Sequence, residues 1–135
     1  TDKNICFAGA ANGGVWRTTS CSATVPNWEP ISDFEQSLSI SDMKFDKSDS
    51  TSNTILVSLG ARSSFSRMGG EAFGLLYTQN ALAATPTWTL LDNAAGGINF
   101  ISNTISFRSV YVRGALMLAV AHSTLDNNSC TNLGV

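Results

Sequence analysis

Gly14-Val15-Trp16-Arg17-Thr18, followed at position 26 by Pro26-Asn27-Trp28, decides the fold, because this stretch occurs twice. The second copy lies sixty residues further on, without a gap, as Gly74-Leu75-Leu76-Tyr77-Thr78 and then Pro86-Thr87-Trp88. A fixed period of this length indicates that one supersecondary unit is repeated along the chain. We therefore predict that five residues mark the structural repeat, namely Gly14, Trp16, Trp28, Gly74 and Trp88.

The chain is predicted to be all-β. Short segments rich in Val, Ile, Leu, Phe, Trp and Thr alternate with turn residues, as in sandwiches, barrels and propellers. The predicted strands are residues 4–10, 14–19, 27–31, 40–46, 54–60, 74–79, 87–91, 104–112 and 115–121. Only residues 32–38 and 71–73 suit a helical turn. Residues 46–53 predict a polar turn, and Arg113-Gly114 predicts a tight hairpin.

Each repeat supplies about four strands, which predicts antiparallel four-stranded β-propeller blades. We expect residues 1–38 to end one blade and begin a connection, 39–92 to form a second blade, and 93–135 to form a third, truncated blade. Propellers close with about 4–8 blades, so the propeller is incomplete within this chain. The remaining blades are expected from the same polypeptide, from other copies of the chain or from another chain.

Two stretches carry a resemblance to a known family. Residues 8–19 followed by Trp28, and residues 39–49 leading into 54–57, resemble the repeat of sortilin/VPS10-like and BNR (Asp-box) propellers. The resemblance implies a segment of a secreted or cell-surface protein, located outside the cell, in the periplasm or on the surface.

The Asp-box turn of that family is degenerate in both copies. Ser20 and Asn80 stand where the family has its Asp. Because Ser and Asn side chains also accept backbone N–H bonds in turns, we expect the turn to be retained.

The resemblance implies two classes of function. The first is a non-catalytic scaffold or a module that binds a carbohydrate or protein ligand. The alternative is a fragment of a xyloglucanase-like or sialidase-like glycoside hydrolase, in which two carboxylates share the chemistry. Asn12 stands near the position at which those glycosidases have one of their two carboxylates. Because an amide cannot take up a proton, Asn12 cannot replace that carboxylate. Glu71, in the comparable loop of the second unit, has no evident partner in the sequence, so we favour the non-catalytic class.

Residues 60–73 form a loop that the first unit replaces with 11–13 alone. An insertion in one repeat often maps to a binding face. We predict that this loop binds an anionic or carbohydrate ligand through Arg62, Phe65, Arg67, Glu71 and Phe73. The alternative is a loop that packs over a neighbouring blade, with its arginines solvated or paired to Glu71.

The tryptophans of the repeat are expected in the core between blades, with sugar stacking as the alternative.

His122 is the only histidine and has no second ligand at metal-binding spacing, so no metal or cofactor is expected. Asp42, Asp46 and Asp49 lack the Gly and Glu of an EF-hand loop, so they are predicted to cap a turn rather than to bind calcium.

Composition excludes other classes. Charged residues are 13% of the chain and the net charge is −2, which argues against a nucleic-acid binder. No run of eighteen apolar residues occurs, so no membrane span is expected.

Cys6, in an apolar run, is predicted to be a small buried hydrophobe. Cys21 and Cys130 lie in polar loops, where a bridge would suit an extracytoplasmic protein, although their positions are not equivalent.

Overall fold

The structure, a computed structural model, describes residues 2–60, 74–91 and 105–123. These ranges contain nine strands: β1 (Cys6–Ala10), β2 (Gly14–Thr18), β3 (Glu29–Pro30), β4 (Ile40–Phe45), β5 (Ile55–Leu59), β6 (Leu75–Thr78), β7 (Thr89–Leu91), β8 (Ile105–Arg113) and β9 (Leu116–Ser123). Each strand overlaps one predicted segment, so the all-β prediction is confirmed for the described ranges. Within them, no helix is present that could cross a membrane.

The strands form three antiparallel sheets in which neighbours in the chain pair with each other. Sheet 1 has the order β1-β2-β3, sheet 2 the order β4-β5-β6-β7, and sheet 3 the pair β8-β9. The four strands predicted to form one unit are thus the four strands of sheet 2. Gly114, at φ 58°, opens the turn between β8 and β9, which confirms the predicted tight hairpin.

Two elements differ from the sequence prediction. β3 contains only Glu29 and Pro30, because the Asn27 N–H donates to Ser20 Oγ and so belongs to the preceding turn. Residues 32–38 form no helix. They contain a hydrogen-bonded turn in which the Glu35 N–H donates to the Ser32 carbonyl at 3.1 Å.

Sheet 2 is buried on both of its faces. Successive side chains of a strand point to opposite faces, and β5 directs Val57 and Leu59 to one side and Leu56 to the other. Val57 and Leu59 lie in a core cluster with Val15 of sheet 1, whereas Leu56 lies in a second cluster with Val112 of sheet 3. The near-continuous apolar run of β5 follows from this double burial. Sheet 2 is therefore the middle layer of three consecutive sheets.

Glycines stand where the sheets come closest. A Cβ atom on Gly9 of β1 would lie 2.6 Å from Cγ2 of Ile40 in β4. A Cβ atom on Gly60, just after β5, would overlap the backbone carbonyl oxygen of Phe107 in sheet 3 and the Ser41 side chain. Small residues at these two positions therefore set the spacing between sheets 1 and 2 and between sheets 2 and 3.

Gly60→Ala is expected to lower the free energy of unfolding by about 1–3 kcal/mol, because the added methyl group meets backbone that cannot rotate away. Urea unfolding followed by circular dichroism measures this loss. Gly13→Ala is the matched control, since the nearest atom to its new methyl group is the Ala10 Cβ at 3.3 Å. Equal losses in the two variants would contradict the close approach of sheets 2 and 3 at Gly60.

Candidate functional site

The predicted ligand-binding residues lie outside the described ranges. Arg62, Phe65, Arg67, Glu71 and Phe73 all fall within residues 61–73, so their role as a site stays a prediction. In the described part of the chain, the hydrogen-bonded polar side chains lie in the repeated turns, between neighbouring sheets and in the turn between β4 and β5.

The first copy of the repeat ends in a turn held by the Ser20 side chain. The Ser20 N–H donates to Thr18 Oγ1 at 3.2 Å, and the Asn27 N–H donates to Ser20 Oγ at 3.1 Å. The Ala23 N–H donates to the Ser20 carbonyl at 2.9 Å. Ser20 therefore bridges the two ends of the turn.

The second copy repeats every one of these bonds sixty residues later. The Asn80 N–H donates to Thr78 Oγ1 at 3.2 Å, and the Thr87 N–H donates to Asn80 Oδ1 at 2.9 Å. The Ala83 N–H donates to the Asn80 carbonyl at 2.9 Å. The expectation that the Ser20 and Asn80 side chains accept backbone N–H bonds in their turns is therefore confirmed.

Gly14 and Gly74 occupy the same backbone conformation at the start of β2 and just before β6. Their φ angles are 69° and 65°, in the left-handed region that glycine adopts without strain. The sequence period therefore reflects a repeat of backbone geometry as well as of residue types.

The three tryptophans of the repeat have different surroundings. Trp88 packs against the cluster between sheets 1 and 2, and its indole N–H donates to the Ile31 carbonyl at 2.7 Å. Trp16 is half-buried and donates to the Gly13 carbonyl at 2.6 Å. Trp28 is 38% exposed. Its expected place in the core is not observed, because it precedes the short edge strand β3.

Arg17 is a buried cation that joins sheets 1 and 2. It is 5% exposed. Its Nη1 donates to the carbonyls of Ala81 at 2.9 Å and Ala83 at 2.5 Å, and Nη2 donates to that of Ala84 at 3.4 Å. Nε also donates to Glu29 Oε1 at 2.8 Å. An arginine of the first repeat thus holds the turn of the second.

The sequence did not reveal this role of Arg17. The equivalent position of the second copy is Tyr77, so the repeat itself gives no sign of a conserved cation. The available signal was an arginine inside an apolar strand, with Glu29 in the strand that follows.

Cys6 and Cys21 form a disulfide, so the prediction that Cys6 is a small buried hydrophobe is wrong. Antiparallel pairing places Cys6 opposite Thr18, and the Cys21 N–H donates to the Asn4 carbonyl at 2.8 Å. These bonds bring the two Cα atoms to 5.7 Å, within the usual range for a disulfide. The bridge fastens β1 to the first repeated turn.

Asp42 and Asp46 fasten sheet 3 to the edge strand β4. Asp42 Oδ2 accepts from Ser109 Oγ at 2.8 Å and from the Val110 N–H at 3.1 Å. Asp46 Oδ2 accepts from the Gly114 N–H at 2.8 Å. Burial acts to raise the pKa of Asp42, but hydrogen bonds, led by that of the Lys44 side chain, lower its pKa overall. Sheets 2 and 3 share no paired strands, and the two carboxylates supply hydrogen bonds between them instead.

Asp49 organises the turn between β4 and β5. Its Oδ1 accepts from the N–H and hydroxyl of Thr51, and its Oδ2 accepts from the N–H groups of Asn53 at 3.0 Å and Thr54 at 2.8 Å. The predicted turn-capping role is confirmed for Asp49 and for Asp46, whose Oδ1 accepts from the Ser48 N–H at 2.7 Å. It is wrong for Asp42, which lies in β4 and accepts from sheet 3. No group of three or more potential metal-binding residues occurs among the residues that the structure describes.

Stability should depend on pH through Asp49. Hydrogen bonds, first from the Thr51 side chain and then from Thr54, hold the pKa of Asp49 well below its usual range. A carboxyl with a lowered folded-state pKa stabilises the fold above the unfolded pKa of about 4, and this stability is lost as the pH falls.

Thermal melts from pH 7 to pH 2 test this dependence. We expect the wild-type Tm to fall below about pH 4 and the Tm of Asp49→Asn to fall less over the same range. Asp33→Asn, which removes an exposed carboxylate, is the charge-matched control. If the Tm of Asp49→Asn fell as much as that of the wild type below about pH 4, the role assigned to this carboxylate would be contradicted.

Three of the described aspartates lack the raised pKa of a glycosidase general acid. A general acid of that class needs a raised pKa and a second carboxylate across a cleft. Hydrogen bonds, led by that of the Ser48 side chain, lower the pKa of Asp46, as hydrogen bonds also do for Asp42 and Asp49. Burial raises the pKa of Glu35. The three lowered aspartates serve as hydrogen-bond acceptors of the framework.

Two open grooves flank the turn between β4 and β5. The larger, of about 660 Å³, has an apolar wall formed by Ile5, Phe7, Phe45 and Leu82. The smaller, of about 380 Å³, is polar, and its lining includes Tyr77.

Comparison with known proteins gave no match among family models, curated proteins or solved structures. Function is therefore inferred from the geometry of the chain itself.

Proposed function

We propose that this chain is a non-catalytic β-propeller segment of a larger secreted or cell-surface protein, acting as a scaffold or as a ligand- or protein-binding module. The observation that carries the proposal is the double burial of sheet 2 between the sheets that precede and follow it in the chain. Antiparallel four-stranded sheets stacked in chain order are the arrangement of propeller blades. The shared turn geometry of Ser20 and Asn80 supports a sortilin-like or BNR-like repeat.

The disulfide supports an extracytoplasmic location. Disulfides persist in oxidising compartments and are rare in the cytosol. The Cys6–Cys21 bridge closes a short loop at the edge of sheet 1, where it fastens the outer strand β1. A location outside the cell, in the periplasm or on the surface accounts for it.

A binding role fits the charge and hydrogen bonding of the described residues. Asp42, Asp46 and Asp49 are already occupied by donors from the framework, and their lowered pKa values do not suit proton donation. The loop of residues 60–73, with Arg62 and Arg67, remains the proposed ligand-binding segment.

Binding and turnover measured on the same purified protein test the proposal. The ligands are sialylated and sulfated glycans as anionic probes and xyloglucan as a neutral one. We expect anionic glycans to bind, the double variant Arg62→Ala/Arg67→Ala to lose that binding, and the exposed-site control Arg113→Ala to keep it. Hydrolysis of a polysaccharide that disappears in Glu71→Gln would overturn the proposal in favour of a glycoside hydrolase.

A further inference from the structure

The larger groove beside the turn between β4 and β5 has a wall built by two sheets. Phe7 of sheet 1 and Phe45 of sheet 2 meet edge to face, with their ring centroids 5.3 Å apart. Ile5 and Leu82 complete the apolar wall. Phe45 and Leu82 remain 39% and 38% exposed. The volume of the groove, about 660 Å³, lies within the range of sites that hold small molecules.

The wall is held in place by bonds within the chain. The disulfide fixes Cys6, which precedes Phe7 in β1. The Leu82 N–H donates to Asn53 Oδ1 at 3.1 Å. Hydrogen bonds to Asp49 hold the turn between β4 and β5, which also lines the groove. A site that is already ordered binds a ligand without the entropic cost of ordering its wall.

The charged side chains of the larger groove are predominantly acidic. Its described lining includes Asp2, Asp46 and Asp49 against one lysine, Lys47, so three negative charges and one positive charge leave an excess of two negative charges. Hydrogen bonds, led by those of neighbouring hydroxyl side chains, lower the pKa of both Asp46 and Asp49, which therefore stay ionised at neutral pH. A cleft lined by one sign of charge attracts ligands of the opposite sign.

We propose that the larger groove binds a small organic cation with an apolar body, such as an arylamine or alkylamine that is protonated at neutral pH. The apolar body packs against the wall that contains Phe45 and Leu82, and the ammonium group lies toward the acidic side chains. This inference does not rest on the proposed function. The loop of residues 60–73 is proposed to bind anionic glycans, whereas the groove uses other residues and selects the opposite charge.

Three ligands with a similar aromatic body separate the effect of charge from that of apolar packing. At neutral pH, 2-phenylethylamine is a cation, 2-phenylethanol is neutral and phenylacetate is an anion. Each is titrated at low salt into 15N-labelled protein, and the amide shifts of three groove residues are followed, namely Cys6, Ser52 and Leu82.

The amine should bind most tightly of the three ligands. We expect a Kd of about 1 mM for the amine, since small ligands with few contacts bind in this range. The alcohol should bind about three- to tenfold more weakly, because it lacks the attraction to the acidic side chains, and phenylacetate should bind most weakly of all. Salt at about 0.5 M should reduce the difference between amine and alcohol.

One pair of variants tests the apolar wall. Leu82→Ser introduces the residue that the first copy of the repeat has at the equivalent position, Ser22, so the turn should be retained. This variant should weaken the binding of amine and alcohol alike. Val25→Ser, which removes an apolar side chain that is 84% exposed in the first turn, should leave both affinities unchanged.

A second pair of variants tests the charge. Lys47→Gln removes the positive charge from the groove, so it should tighten amine binding about two- to threefold and leave alcohol binding unchanged. Gln36→Glu changes the net charge by the same amount. Because Gln36 is exposed in the loop before β4, at the other end of that strand from Lys47, this control should leave both affinities unchanged.

Equal affinity for the amine and the alcohol at low salt would overturn the inference, as would tightest binding of phenylacetate. Absence of shifts at the groove amides with the amine at about 10 mM would also overturn it. Circular dichroism melts check that the variants are folded, and Leu82→Ala replaces Leu82→Ser if the latter does not fold. None of these results bears on the glycan and hydrolysis tests, because those use other ligands and the residues of the loop 60–73.

Discussion

Replacing Arg17 with methionine is expected to lower the free energy of unfolding by about 2–4 kcal/mol. The guanidinium group donates to the carbonyl of Ala81, a buried hydrogen bond, and to those of Ala83 and Ala84. Methionine keeps much of the side-chain volume but leaves these acceptors without their donor, and a buried group without its partner is costly. Urea unfolding at neutral pH measures the loss.

Glu29→Gln is the matched control for the Arg17 variant. The Glu29 side chain is 49% exposed, so solvent screens its attraction to Arg17. Removing its charge should cost less than about 1 kcal/mol. If Glu29→Gln proved as destabilising as Arg17→Met, then the principal contribution of Arg17 to stability would be its ion pair with Glu29. Its hydrogen bonds to the turn of sheet 2 would then contribute little.

Removal of the disulfide by the double variant Cys6→Ala/Cys21→Ala is expected to cost about 3 kcal/mol. The bridge closes a loop with a sequence separation of 15, and a crosslink of this span restricts the unfolded chain by about that amount. Denaturant unfolding of wild type and variant, each with and without reductant, measures the effect.

The reductant provides the internal control for this experiment. It should lower the stability of the wild type toward that of the double variant and leave the variant unchanged. Mass spectrometry after thiol alkylation confirms the state of Cys6 and Cys21. A wild type with both thiols labelled but undiminished stability would contradict a stabilising role for the bridge.

Much of the fold follows from local sequence patterns. The apolar run within residues 54–60 predicts a strand, and the structure places β5 there, inside the middle sheet and buried on both faces. The repeat of Thr18 and Trp28 at Thr78 and Trp88 predicts equivalent turns, and the three hydrogen bonds donated by backbone N–H groups at Ser20 recur at Asn80. Periodicity and turn chemistry are local properties, so they can be read without knowing which segments meet.

The contacts between sheets could not be predicted in the same way. Arg17 meets carbonyl groups 64 to 67 residues away, and its equivalent in the repeat is a tyrosine. Cys6 meets Cys21 only because the register of β1 and β2 brings them together. The candidate binding loop, residues 60–73, lies outside the described ranges except for Gly60, so its predicted role rests on composition and on its length relative to the first repeat.

The stacking of three sheets in chain order is tested most directly by nuclear Overhauser contacts in a methyl-labelled sample. We expect methyl groups of Val57 to show cross-peaks within the cluster that contains Val15, and those of Leu56 to show them within the cluster that contains Val112. Contacts of both Leu56 and Val57 with the same neighbouring sheet, or of neither with any, would contradict the placement of sheet 2 between the other two.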